Sequence, residues 1–99
     1  MTPAKRDAPR IRHEPDSSRF VLASGPAAAV LEYARVDATT LDYHHTFVPP
    51  ELRGRGLASE LAEHALRYAL EQGFTVVPSC PFVAAYIVKH PEYRPLLRA

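Results

Sequence analysis

Charge of one sign is what this chain has least of: across 99 residues, twelve Lys and Arg stand against eleven Asp and Glu, a formal net charge of +1. A molecule so balanced has no strong overall field to hold nucleic acid or an anionic membrane, so neither partner is expected and any anion site has to be local. Cysteine is nearly absent. The lone Cys80 cannot form an internal disulfide, and no basic start followed by an apolar core of signal-peptide length opens the chain, so a cytoplasmic protein is expected. No apolar run approaches the roughly 20 residues that a membrane span requires. Repeats and low-complexity segments are missing too. Neither the G-x-x-x-x-G-K-[ST] spacing of a P-loop nor the G-x-G-x-x-G of a dinucleotide site occurs. His13, His64 and His90 show no metal-ligand spacing, so no metal is expected. A chain of this length builds one core, and one site is to be sought.

Residues 1–10, with Pro3, Pro9, Lys5, Arg6 and Asp7 and no apolar periodicity, read as a flexible lead-in to a single domain over 11–99. Ile11 to Glu14 and Arg19 to Ala23 are short extended segments around the turn-forming Pro15-Asp16-Ser17-Ser18, which predicts a hairpin. After Gly25-Pro26, a period of two over Ala27 to Val36 favours a third strand, with a helix possible because of the alanines. A turn at Asp37 to Thr40 leads to a fourth strand, Leu41 to Val48, rich in β-branched and aromatic residues. Leu57, Leu61, His64 or Ala65, and Tyr68 then recur at helical spacing, with Leu66, Ala69 and Leu70 widening the apolar stripe. Gly73 suits the left-handed residue that closes such a helix. Phe74 to Val77 is a fifth strand, and Pro78, which has no N–H to donate, predicts a gap in its pairing. Pro81 opens a second helix, Phe82 to about Lys89, capped by Cys80 and stopped by His90-Pro91, and the tail with Tyr93, Leu96 and Leu97 docks on the body. The order is four strands, helix, strand, helix: an α+β domain.

The stretch Val48 to Ala58, "VPPELRGRGLA", puts the chain's most unusual backbone residues directly before a helix. The first N–H groups of a helix lack partners, and with the macrodipole they amount to about half a positive charge directed into the preceding loop. Gly54 and Gly56 allow close backbone approach to an anion, and Arg53 and Arg55 can add charge-assisted contacts. The alternative is that the glycines merely shape a turn and the arginines are solvated.

Arg53-x-x-Gly56-x-Ala58, after a strand ending in Val48-Pro49 and opening an amphipathic helix, resembles the acetyl-CoA pyrophosphate loop of the GNAT N-acetyltransferase superfamily. More narrowly, "HTFVPPELRGRGLA" from His45 and "PSCPFVAAYIVKHPEY" from Pro78 resemble its short, single-domain branch. The resemblance implies a minimal GNAT-like fold, a mixed, mostly antiparallel sheet of about five strands with two main helices. It implies acetyl-CoA as cofactor, with backbone groups of Phe47 and Val48 along the pantetheine arm and the N–H groups of Arg53, Gly54, Arg55, Gly56, Leu57 and Ala58 on the pyrophosphate. It further implies acetyl transfer to an amine acceptor, a small molecule or a protein lysine, by a monomer or weak homodimer. The chain departs from the wider superfamily in lacking the helical segment between the first two strands and the last strand pair, parts that shape the acceptor pocket. A CoA-binding or sensing module without turnover is the alternative from another class.

An amine must lose a proton to attack a thioester, and the departing thiolate gains from a proton donor. His45, three residues before Val48, is a candidate base, and strand alternation turns its neighbour His44 the other way; a half-exposed strand histidine explains either equally. Tyr86 resembles the tyrosine that many superfamily members place after the fifth strand as proton donor, or it is a packed helix aromatic. Cys80, at a helix N-terminus, is either a thiol that itself accepts the acetyl group or a small buried cysteine.

Overall fold

A computed structural model describes residues 11–97, so the lead-in expected over 1–10 lies outside the described residues. The first two extended segments are strands β1 (Ile11–Glu14) and β2 (Arg19–Ser24), joined by a 3-10 turn at Pro15–Ser17 whose exit, Ser18, takes φ 54°. Strand β3 (Ala27–Asp37) settles the strand-or-helix choice left by its alanines: it pairs antiparallel with β2 along its first half and with β4 (Thr40–Phe47) along its second. Helix α1 (Leu57–Gln72) carries the chain back to β5 (Thr75–Val77), which lies parallel to β4, and α2 (Pro81–Lys89) follows. The five strands lie in sequence order in one sheet.

Helix α1 ends where Gly73 adopts φ 79°. Its N–H donates to the carbonyl of Leu70 at 3.3 Å and that of Phe74 to the carbonyl of Ala69 at 2.9 Å, the pair of bonds that satisfies the last carbonyls of a helix. The face so positioned buries Leu57, Leu61, Ala62, Ala65, Leu66 and Ala69. Leu70 lies outside that stripe and is half exposed, contrary to its place in the expected apolar face. Phe20, Leu22, Leu31, Tyr43 and Val76 from four strands, with Val83 from α2, complete the same core at zero exposure. Both helices and the C-terminal turn, through Tyr93 and Leu96, contribute to this one cluster. They therefore share one face of the sheet.

Tyr43 joins the sheet to α1: fully buried, its hydroxyl donates to the carbonyl of Ala65 at 2.6 Å, and burial pushes its pKa far up so that the donor proton stays in place. Farther along α1, His13 stacks on Phe20 at 4.3 Å and its Nε2 shares a 2.7 Å hydrogen bond with the hydroxyl of Tyr33. His64 meets the edge of the same Phe20. Burial lowers the pKa of both histidines; the proximity of His64 lowers His13 further, while for His64 the nearby Glu71 partly opposes and Arg67 adds to the effect.

These depressed values make the unfolded chain bind more protons than the folded one just below the ordinary imidazole pKa, about 6.5. The stabilisation is complete above that pH and is lost as pH falls through the window beneath it. Urea-unfolding midpoints should therefore drop between pH 7.5 and 5.5, with a smaller drop in His13→Gln; a wild-type midpoint that stays level across this range contradicts the assignment.

Candidate functional site

The parallel pairing of β5 with β4 lasts three residues, Thr40 to Asp42 against Thr75 to Val77, and stops before Pro78. One more contact follows, the Cys80 N–H donating to the carbonyl of Tyr43 at 2.9 Å. Beyond it β4 runs on to Phe47 without β5 beside it, which is the gap that Pro78 predicts.

An extra residue shapes this free end. Glu32 of β3 faces His45 and Tyr33 faces Tyr43, so His44 bulges out between them. Simple alternation, which turned His44 and His45 to opposite faces, is interrupted here, and both side chains are exposed. Because cross-strand partners share a face, His45 and Phe47 lie with Glu32 and Val30 on the side away from the helices. Thr46, opposite the core residue Leu31, returns to the helical side, where its hydroxyl is 3.5 Å from the sulfur of Cys80.

After Val48 the chain turns through Pro50–Leu52, and the buried Leu52 pins the loop to the core. Arg53 donates from Nε to the carbonyl of Val48 at 3.0 Å, tying the end of the strand to the entrance of the helix. Gly54 and Gly56 then take φ 82° and 75°, left-handed values that strain any other residue by roughly 1–2 kcal/mol. Gly56 is the N-cap of α1 and no side chain caps it, so the first-turn amides are left to the space in front. That space is a cavity of about 220 Å³ running from Val48 along the loop to Ser59 and across to Phe82. A Cβ added to Gly54 or Gly56 meets no atom within 4 Å, so the backbone there is bare. Exposed amides, a helix N-terminus and an Arg at the rim suit a diphosphate such as that of CoA.

Val48, Arg53, Gly54, Gly56, Leu57 and Ala58 of the expected cofactor set line this cavity, whereas Phe47 and Arg55 do not. Ser59 and Phe82 join them. Ser59 follows the matched motif directly and was within reach of the sequence; Phe82 comes from α2 and carried no local signal.

The three candidate reactive residues separate. Cys80 caps α2 from β4's side, buried, with its thiol beside Thr46 and no cap bond from sulfur. His45 is next to Thr46 in the chain but on the opposite face. Tyr86 points to α1, where its hydroxyl donates to Oε1 of Glu63 at 2.6 Å. Burial and then that bond push the Tyr86 pKa up, and the same bond is the main cause that holds the Glu63 carboxyl below its ordinary value, with help from Arg67. Tyr86 thus keeps its proton and spends it on Glu63. Among the described residues no three His, Cys, Asp or Glu side chains are grouped to hold a metal, and no helix is long and apolar enough to cross a membrane.

The model of the GCN5-related N-acetyl-transferase family matches residues 19–96. The chain is 36% identical over 63 residues to protein NATD1 of Xenopus tropicalis, a match covering 64% of this chain and 58% of that protein. It is 31% identical over 84 residues to protein NATD1 of Mus musculus, covering 83% and 76%. A GCN5-like protein from Staphylococcus aureus, solved by NMR in solution, superposes with a TM-score of 0.70 at 24% identity over 90% of this chain and 87% of that one, which establishes the shared fold. With four-fifths of its length inside the family match and the family's fold around an open helix N-terminus, the chain belongs to the GCN5-related N-acetyltransferase family.

Proposed function

We propose that the chain transfers an acetyl group from acetyl-CoA to an amine acceptor, in the cytoplasm. The observation that carries this reading is the continuity of two features: an unpaired strand end in β4, and directly after it an uncapped helix N-terminus with a bare glycine backbone. A long ligand with a hydrogen-bonding arm and a diphosphate needs both, in that order. Bound there, acetyl-CoA supplies an activated thioester.

The amides from Gly54 to Ser59 hold the diphosphate, and the terminal nitrogens of Arg53, whose Nε is engaged by Val48, add charge at the rim. His45, exposed beside the gap on the face away from the helices, takes the proton of the attacking amine. Cys80 and Thr46 close the helical side of the gap. Transfer passes through Cys80 only if its thiolate attacks the acetyl carbon, CoA leaves with the thiol proton, and the amine then displaces the sulfur; direct attack needs only His45.

Calorimetry should give saturable CoA binding to the wild type, weakened about tenfold in Arg53→Ala through loss of one charge-assisted contact, roughly 1.4 kcal/mol. A folded wild type that shows no saturable heat refutes the reading. His45→Ala should bind CoA as the wild type does while losing 10²-fold or more in turnover of an amine acceptor, the usual scale of general-base catalysis. Unchanged turnover removes His45 from the mechanism.

A further inference from the structure

On the face of the sheet away from the helices, Glu14, Arg19, Glu32 and His45 stand opposite one another in a single row across β1, β2, β3 and β4. Arg19 lies between two glutamates and gives its Nε to Glu14 at 2.8 Å, and Arg12 gives a bond of 3.0 Å to the same Glu14. Two guanidinium groups thus go to one carboxylate. Glu32 is left half-buried, with no hydrogen bond or ion pair among the described residues. Earlier on β4, on the same face, Oδ1 of Asp42 is buried and has no partner either. Asp42 pairs with Ala34, two residues from Glu32, so its Cβ lies on the diagonal, about 7–8 Å from that of Glu32. The face beside the gap therefore holds two carboxylates without a cation on either.

The order of the row decides what this charge can do. Inward from the open edge of β4 come His45 and then Glu32, one strand spacing or about 4.8 Å farther from the gap. Phe47, 44% exposed, and Val30 form the next row, an apolar strip alongside His45 and Glu32. A nitrogen that attacks a thioester has to be uncharged, so a carboxylate that pairs with that same nitrogen holds it in its unreactive protonated form. Glu32 assists only by pairing with a second nitrogen of the same molecule. Between a reacting nitrogen on the gap side of His45 and a cation on Glu32 there is room for a spacer of about three or four carbons, a little over one strand spacing. The strip of Phe47 and Val30 suits methylene groups.

We propose that the acceptor is a short unbranched diamine or a polyamine built from such units, with one amine uncharged beside His45 and the next paired as an ammonium with Glu32, under the added field of Asp42. This assignment rests on the transfer reading above and narrows it to a class of acceptor. The uncharged nitrogen bonds to the acetyl carbon as the carbon–sulfur bond breaks, its proton passes to His45, and the CoA thiolate takes a proton from solvent. A single lysine side chain carries one nitrogen and cannot meet both groups.

The test measures acetylation of 1,4-diaminobutane, 1-aminobutane and a peptide with one lysine, at saturating acetyl-CoA, by the wild type, Glu32→Gln and Glu32→Asp. The wild type should favour the diamine about tenfold in kcat/KM over both other amines, through KM, the worth of one charge-assisted contact. That margin exceeds the factor of two that a pair of identical ends supplies. Glu32→Gln should erase the preference by raising KM for the diamine alone, and Glu32→Asp should keep part of it. Calorimetry with CoA should give the same affinity for all three proteins, which establishes that the variants are folded. A wild type that turns over the three amines equally, one that prefers the peptide, or a Glu32→Gln that slows all three alike overturns the inference and leaves acetyl transfer in place. A wild type that acetylates none of them refutes the transfer reading and the inference together.

Discussion

Everything at the site depends on the parallel pair β4–β5 ending early. Three residues of pairing, one further bond from the Cys80 N–H, and then nothing leaves the last part of β4 with a neighbour on the β3 side only. A backbone edge is costly to bury without partners, and it is tolerated here because it opens to solvent. Pro78 follows the last paired residue, Val77, and the next N–H to reach β4 is that of Cys80. On β4 itself, the bulge at His44 comes directly after Tyr43. The end of the β5 pairing and the extra residue at His44 therefore fall at the same level of the sheet.

The two ends of α1 show how such openness is made affordable within a small domain. Its C-terminus is closed completely: Gly73 and Phe74 return two N–H groups to Leu70 and Ala69, and β5 begins at once. Its N-terminus has no side-chain cap, with glycine at the N-cap, which costs only a few tenths of a kcal/mol against Ser, Thr, Asp or Asn. The helix survives that omission because its middle is anchored, through six buried side chains and the Tyr43 hydroxyl on Ala65. Anchoring the middle and sealing one end leaves the other end available for an anion. Arg53 belongs to the same division of labour: its Nε braces the loop against the carbonyl of Val48.

Much of this was legible in the chain. The turn residues Pro15 to Ser18, Gly25-Pro26 and Gly73 marked the breaks, and the apolar spacing over Leu57 to Ala69 marked α1, because these signals act over a few residues. The loop motif was legible for the same reason. What escaped was decided by contacts between distant segments. The bulge at His44 depends on how β4 meets β3, so alternation counted along β4 alone does not announce it. Tyr86 is claimed by Glu63, twenty-three residues earlier, and no local pattern announces that bond. Leu70 fitted the apolar stripe by periodicity, yet it is half exposed while Ala69 beside it is fully buried. Phe82 enters the cavity only because α2 packs beside the start of α1.

The placement of the helices makes the two sides of the gap unlike. Both helices and the C-terminal turn pack into one core, so the helical side of the sheet is filled by Tyr43, Cys80 and Val83. The other side carries no helix among the described residues. There His45 and Phe47 are exposed, and Glu32 is half-buried with no partner formed across the strand, because Arg19, directly opposite on β2, turns its Nε to Glu14 at 2.8 Å instead. In the proposed transfer, an acceptor on this face would meet an imidazole and an uncompensated carboxylate, a combination that favours a protonated amine over a neutral or anionic group. With no helix over this face among the described residues, the proposed transfer would select its acceptor here through the charge of Glu32 rather than through an enclosing pocket.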